Sequence, residues 1–107
     1  MTTIKSIDAI TAHEWLENNE AIVIDVREPH EYQESHIPGS HLIPLATITK
    51  NNLPRIAQGK KIIVHCKFGK RGSTACEKLF TEDSNLAIYN LDGGISAWED
   101  AGFKTEK

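Results

Sequence analysis

Apolar residues gather in three short runs along this chain: "AIVIDV" (21–26), "IIVHC" (62–66) and "LAIYNL" (86–91). Runs of this length, rich in β-branched residues and lacking polar alternation, predict strands covered on both faces. Between them the period changes. "STACEKLF" (73–80) places Ala75, Cys76, Leu79 and Phe80 on one stripe, as in a helix with one buried face. "TAHEWLENN" (11–19) predicts a helix after a short strand in "SIDAI" (6–10). Thr11 and Glu14 have capping-box spacing there, and Ile10 is placed to pack back over the first turn. "EPHEYQESH" (28–36) predicts a short polar helix with Pro29 near its start, and "IPGSHLIPL" (37–45) a turn and a brief strand. "ATITKNNLPRIAQGKK" (46–61) is a weaker helical segment that Pro54 should interrupt. "ISAWEDAGF" (95–103) predicts a last helix, stopped by Gly102.

Strands alternating with helices predict an α/β fold: a mostly parallel central sheet of about five strands with helices on both faces. In such sheets the binding site lies beyond the carboxyl ends of the strands. Asp25 and Cys66 stand at two of those ends. Trp15 and Trp98 read as core aromatics, and Cys76, on its helical stripe, as a core cysteine.

Composition narrows the function classes. A length of 107 residues predicts one domain over 1–107. A net charge of −3 argues against a general binder of nucleic acid or anionic membrane. No apolar stretch approaches the ~20 residues needed to span a bilayer. The N-terminus lacks an export signal and the two cysteines make no disulfide framework, so a monomer in a reducing cytoplasm is expected. The five histidines show no zinc-ligand spacing with the cysteines. That spacing calls for no metal.

The segment "HCKFGKRGS" (65–73) carries the chemistry. Cys66 follows a strand and precedes a helix, and Lys67, Lys70 and Arg71 crowd around it. A thiolate is the reactive form of cysteine, and helix N-termini or neighbouring cations can lower its pKa from about 8.5 to roughly 3.5–7.5. Gly69 permits positive φ, which turns successive amides inward as an anion-binding nest. Gly72 removes bulk where the loop joins the helix. The plainer reading is a buried structural cysteine followed by a solvated basic turn.

Three ordered motifs favour the reactive reading. "CKFGKRGSTACEKL" resembles the active-site loop of the rhodanese-like sulfurtransferases, with Cys66, Gly69, Arg71, Ala75 and Leu79 in register. "IDVREPHEYQESHIPGSHLIPL" is similar to the family's upstream motif through Asp25, Val26, Arg27, Glu31, Tyr32, His36, Ile37, Pro38, Gly39, Ile43 and Pro44. "LDGGISAWEDAGF" resembles the closing motif through Leu91, Gly93, Gly94, Trp98 and Gly102. The resemblance spans essentially the whole chain and implies a rhodanese-like fold. One departure falls inside the loop: Gly72 stands where the family has serine. A serine would add a hydroxyl donor and a better helix cap, so glycine there predicts weaker binding of an anionic donor such as thiosulfate.

The resemblance implies that Cys66 is the nucleophile of a sulfurtransferase. It takes sulfane sulfur from thiosulfate, a persulfide or a polysulfide as a Cys66 persulfide, and yields it to cyanide or a thiol, including a protein thiol. The mechanism so implied needs no organic cofactor. Lys70 and Arg71 would attract the donor, Phe68 would line the pocket mouth, and Lys67, Gly69 and Gly72 complete the loop. Asp25 and Arg27 would brace it, with Arg27 paired to Glu31. His65 should point to the opposite face of its strand and is a poor candidate for a base. Two rivals stand beside this reading. One is a noncatalytic interaction or sensor module; the other is a cysteine phosphatase, whose loop is longer by one residue.

Overall fold

The computed structural model describes residues 4–55 and 59–107. Five parallel strands form its sheet in the order β1-β5-β4-β2-β3: β1 Ser6–Ile7, β2 Ala21–Asp25, β3 His41–Leu42, β4 Lys61–His65 and β5 Ile88–Leu91. The two richest apolar runs, β2 and β4, pair along their full length from Ala21 opposite Lys61 to Asp25 opposite His65. Four α-helices accompany the strands among the described residues: α1 Ala9–Glu17, α2 Pro29–Glu34, α3 Lys70–Glu82 and α4 Gly94–Asp100. No helix among these residues is long and apolar enough to cross a membrane.

Side chains alternate across a strand, so every central strand feeds two cores. Ile22, Ile24, Ile62, Val64, Cys66 and Ile88 pack with Ala75, Cys76 and Leu79 of α3. Ala21, Val23, Ile63 and Leu91 pack on the other side with Ala9 and Ala12 of α1 and Ile95 and Trp98 of α4. The predicted sheet with helices on both faces is what the chain forms, and the carboxyl ends of β2 and β4 lie side by side.

Five local expectations change. Helix α1 begins at Ala9, and its cap is Asp8, whose Oδ1 accepts the Thr11 amide at 2.8 Å. Strand β1 ends at Ile7, so the turn into the helix falls earlier than the Thr11 spacing suggested. Ile10 consequently faces outward, 64% exposed, opposite buried Ala9 and Ala12. Among the described residues of segment 46–61, Lys50–Asn52 form a 3-10 turn closed by reciprocal bonds between Thr49 and Asn52; the part of that expectation at 56–58 lies outside the described residues. Phe80 lies at the margin of the α3 stripe, beside Ile4 and Leu86, and is partly exposed. Trp15 is half-buried at the side of the sheet, edge-on to Tyr89 at 4.8 Å between ring centres, whereas Trp98 is core.

Candidate active site

Strand β4 ends at His65, and Cys66 is the first residue beyond it. The sulfur lies on the α3 side of the sheet and is buried, the residue being 2% exposed. Residues 66–69 then turn over it, because Gly69 takes φ +116 and ψ −19 as the N-cap of α3. That left-handed conformation is open to glycine and strained for other residues. It brings the Gly69 amide back to donate to Cys66 Sγ at 3.1 Å. A backbone donor is thus aimed at the sulfur, at the mouth of a helix whose first amides have no partner within the helix.

The opposite side of the loop is held by α4. Gly93 and Gly94 both adopt left-handed conformations, φ +77 and +60. The Ile95 amide then donates to the Cys66 carbonyl at 2.9 Å, and the Ser96 amide to the Lys67 carbonyl at 3.1 Å. The closing "LDGG" motif therefore works as a backbone clamp on the cysteine loop, and Gly94 allows the close approach.

Beneath the loop lies a chain of buried polar contacts. The Arg27 guanidinium donates to Asp25 through Nε and Nη2 at 2.8–3.1 Å, and its backbone amide also reaches Asp25 Oδ1 at 3.0 Å. Nη2 continues to the Ser35 carbonyl at the end of α2 at 2.7 Å. His65 is fully buried on the face away from the sulfur, as expected; Nδ1 donates to the Cys66 carbonyl at 3.1 Å. Its Nε2 lies 3.6 Å from Asp25 without a hydrogen bond. Burial pushes the imidazole pKa down, against the pull of the Asp25 carboxylate, so the ring is neutral with its proton on Nδ1. The Asp25–Arg27 pair thus adjoins His65 without a hydrogen bond to it.

The expected Arg27–Glu31 pair does not form. Strand β2 stops at Asp25, and the turn curls Arg27 back onto that carboxylate. Glu31, on α2, instead forms a two-pronged pair with Arg71, at 2.7 and 3.0 Å. The Arg71 bond, opposed by partial burial, holds the Glu31 carboxyl down at about 2. A depressed carboxyl contributes stability fully above its ordinary range near 4.5, and loses it only as pH falls through about 2. The pair therefore persists across the physiological range. Glu31 also raises the Arg71 pKa, against partial burial.

The remaining loop residues separate. Phe68 is 68% exposed at the loop's tip, and Lys67 folds over that ring with Nζ 5.5 Å from its centre. Lys70 is exposed at the first turn of α3. Cys76 is buried in the α3 core, and burial pushes its thiol up to about 12. It stays protonated. Among the described residues no group of three or more His, Cys, Asp or Glu side chains is arranged to hold a metal ion.

Gly72 corrects the sequence reading most sharply. It is the third residue of α3, past the Gly69 cap, and it faces the sheet rather than the loop. A Cβ placed there would lie 2.3 Å from Asn90 Oδ1 and 3.5 Å from His65 Cα. A serine hydroxyl at 72 would thus meet Asn90, not an anion over the sulfur. Asn90, on β5, is 7% exposed and donates through Nδ2 to the Gly69 carbonyl at 3.1 Å. Hydrophobic periodicity does not single it out, although an amide inside the apolar run "LAIYNL" is a visible signal. The Glu31–Arg71 contact had no such signal, being 40 residues apart.

Comparison with known proteins bears on the family and the fold. Residues 8–101 match the family described as the Rhodanese-like domain. An uncharacterised Synechocystis protein, slr1261, is 32% identical over 91% of this chain, which spans about half (53%) of that protein. A Pseudoalteromonas translucida protein named thiosulfate sulfurtransferase GlpE is 32% identical over 91% of this chain and 90% of its own. Among solved structures, a rhodanese-related protein from Thermoplasma volcanium superimposes with a TM-score of 0.79 at 31% identity, covering 95% of this chain and 97% of that one.

Proposed function

This chain belongs to the rhodanese-like domain family, and from that premise we propose that it is a sulfurtransferase working through a persulfide on Cys66. The observation that carries the reading is the Gly69 amide directed at Cys66 Sγ, 3.1 Å away, beneath a loop clamped on both sides. The Cys66 thiolate attacks the outer sulfur of thiosulfate or of a persulfide. The S–S bond of the donor breaks, sulfite or a thiolate departs with the bonding pair, and Cys66 holds the transferred sulfur as a persulfide anion. An acceptor thiolate, or cyanide in an assay, then attacks that outer sulfur, and the Cys66 thiolate is restored. Each half-step exchanges one S–S bond for another bond to sulfur, so no external oxidant is needed. This is covalent catalysis in two displacements, with backbone amides stabilising an anionic sulfur.

Intact-mass measurement tests it. Exposure to thiosulfate or glutathione persulfide should add the mass of one sulfur atom to the wild type and none to Cys66→Ser, and an added thiol should remove it. Absence of the adduct with every donor would leave a noncatalytic module. Hydrolysis of an aryl phosphate without an adduct would favour the phosphatase. Against that rival, the loop arginine is at 71 and is engaged by Glu31, and position 72 is turned away from the loop.

The Glu31–Arg71 pair supports a donor preference. Because the guanidinium is already partly neutralised, the site favours a persulfide, whose transferred sulfur bears no oxyanion group, over thiosulfate. Glu31→Gln should release Arg71 while keeping an oxygen for the Glu28 amide, which Glu31 Oε1 accepts at 2.9 Å. Surface ion pairs are worth up to about 1 kcal/mol, and this one is partly buried, so thiosulfate kcat/KM should rise roughly five-fold with little change for the persulfide. Arg71→Ala should lower it for thiosulfate more than for the persulfide, with Lys rescuing only partly. Equal changes for both donors would make the pair a brace for α2 and nothing more.

A further inference from the structure

We propose that Asn90 is a positioning residue for the Cys66 loop, and that position 72 is glycine in order to admit it. The proposal deepens the sulfurtransferase reading and rests on Cys66 being the reactive group. Residues 88 and 90 of β5 face α3, and at 90 that otherwise apolar surface carries an amide. Its Nδ2 donates to the Gly69 carbonyl, which also accepts the first bond of α3 from the Ser73 amide at 3.0 Å. Its Oδ1 is buried without a hydrogen-bond partner and sits where a side chain at 72 would begin. The amide therefore occupies the space left by Gly72 and reaches back to the residue that caps the helix.

Gly69 is the residue whose two flanking peptides matter most. One carries the amide directed at Cys66 Sγ, and the other carries the carbonyl held by Asn90. With φ +116, Gly69 is intrinsically free to adopt other conformations. Fixing its carbonyl from the sheet side restricts that freedom and keeps the amide on the sulfur. A persulfide needs the same donor, since its outer sulfur carries the charge. A buried amide with one unmet acceptor is a destabilising feature in an apolar layer. Its retention here is accounted for by the donor bond to the loop. Of the charged groups around the loop, Arg71 pairs with Glu31 of α2, Lys67 lies over Phe68, Lys70 is exposed at the start of α3, and Asp25 pairs with Arg27 beside His65; substitutions at 90 remove none of them.

The experiment compares Asn90→Ala, Asn90→Leu, Gly72→Ser and the Asn90→Ala/Gly72→Ser double variant in the full chain. The readouts are melting temperature, the pH profile of iodoacetamide modification at Cys66, and kcat and KM for sulfur transfer. Asn90→Leu keeps the approximate shape without the donor. It should melt near the wild type yet shift the alkylation profile to higher pH and lower kcat roughly ten-fold, with KM little changed. Gly72→Ser should reproduce that shift by displacing the amide. The double variant should be no worse than the poorer single one, because the space is then vacant. Unmoved alkylation profiles in folded Asn90→Ala and Asn90→Leu would overturn the proposal, as would losses that multiply in the double variant. Alkylation does not depend on turnover, so failure of this proposal is separable from failure of the sulfurtransferase reading.

Discussion

Cys66→Ser should remove sulfur transfer, by roughly three orders of magnitude or more, while the protein stays folded. Cys76→Ala should retain most of it. The two thiols lie in the same core, and their environments differ in what surrounds the sulfur. Cys66 receives the Gly69 amide at the end of β4, next to a loop whose backbone is clamped by α4. Cys76 sits on the apolar stripe of α3, where burial pushes its thiol up to about 12 and leaves no nucleophile at neutral pH. Removing its sulfur opens a small cavity and lowers stability by about 1 kcal/mol. Steady-state transfer rates and thermal melts on both variants check the pair. Equal loss of activity in two folded proteins would point to a two-cysteine redox cycle and sink the single-nucleophile mechanism.

Gly94→Ala should be the most damaging single methyl added anywhere in the site. Gly94 adopts φ +60, and a Cβ there would stand 2.5 Å from the Cys66 carbonyl oxygen and from the Lys67 carbonyl group. Those neighbours are backbone, so no side chain can swing away to make room. A left-handed conformation in a residue other than glycine costs about 1–3 kcal/mol, and overpacking adds about 1–3 kcal/mol. Domains of this size are held by only about 5–15 kcal/mol. The melting temperature should therefore fall by roughly 10 °C or more. What folds should show a displaced loop, read as a changed rate of Cys66 alkylation. Gly102→Ala is the control, since it has φ +87 with nothing within 4 Å of the added methyl. It carries the conformational cost alone. If the two variants melt alike, the approach of α4 to the cysteine loop is not tight.

Much of this architecture was legible in the chain. The apolar runs at 21–26, 62–66 and 86–91 could be satisfied only by strands covered on both faces. The stripe Ala75, Cys76, Leu79 could be satisfied only by a helix lying on them. Those periodicities are local, each residue's partner being a turn or two away or directly across a strand. They sufficed to place Cys66 at a strand end under a glycine loop and Asp25 at another; that the two ends are neighbours was decided by the pairing of β2 with β4. They failed where the choice among partners depended on distance in space. Arg27 had a carboxylate on either side, and the end of β2 at Asp25, not any sequence spacing, turned it to Asp25. Glu31 was left for Arg71, across 40 residues.

Gly72 shows the same division most clearly. From the sequence, a glycine in place of a serine read as a missing hydroxyl over the sulfur. The direction of its side chain depends on where the helix begins, and that depends on Gly69 turning left-handed at φ +116. With α3 starting at Lys70, position 72 faces β5, and its space belongs to Asn90. Local periodicity can specify which residues are buried and in what kind of element, because hydrophobic burial has no direction. Hydrogen bonds, ion pairs and steric exclusion are directional and short-ranged. Which of them form at the cysteine loop was decided only when β4, β5, α2, α3 and α4 were brought together around it.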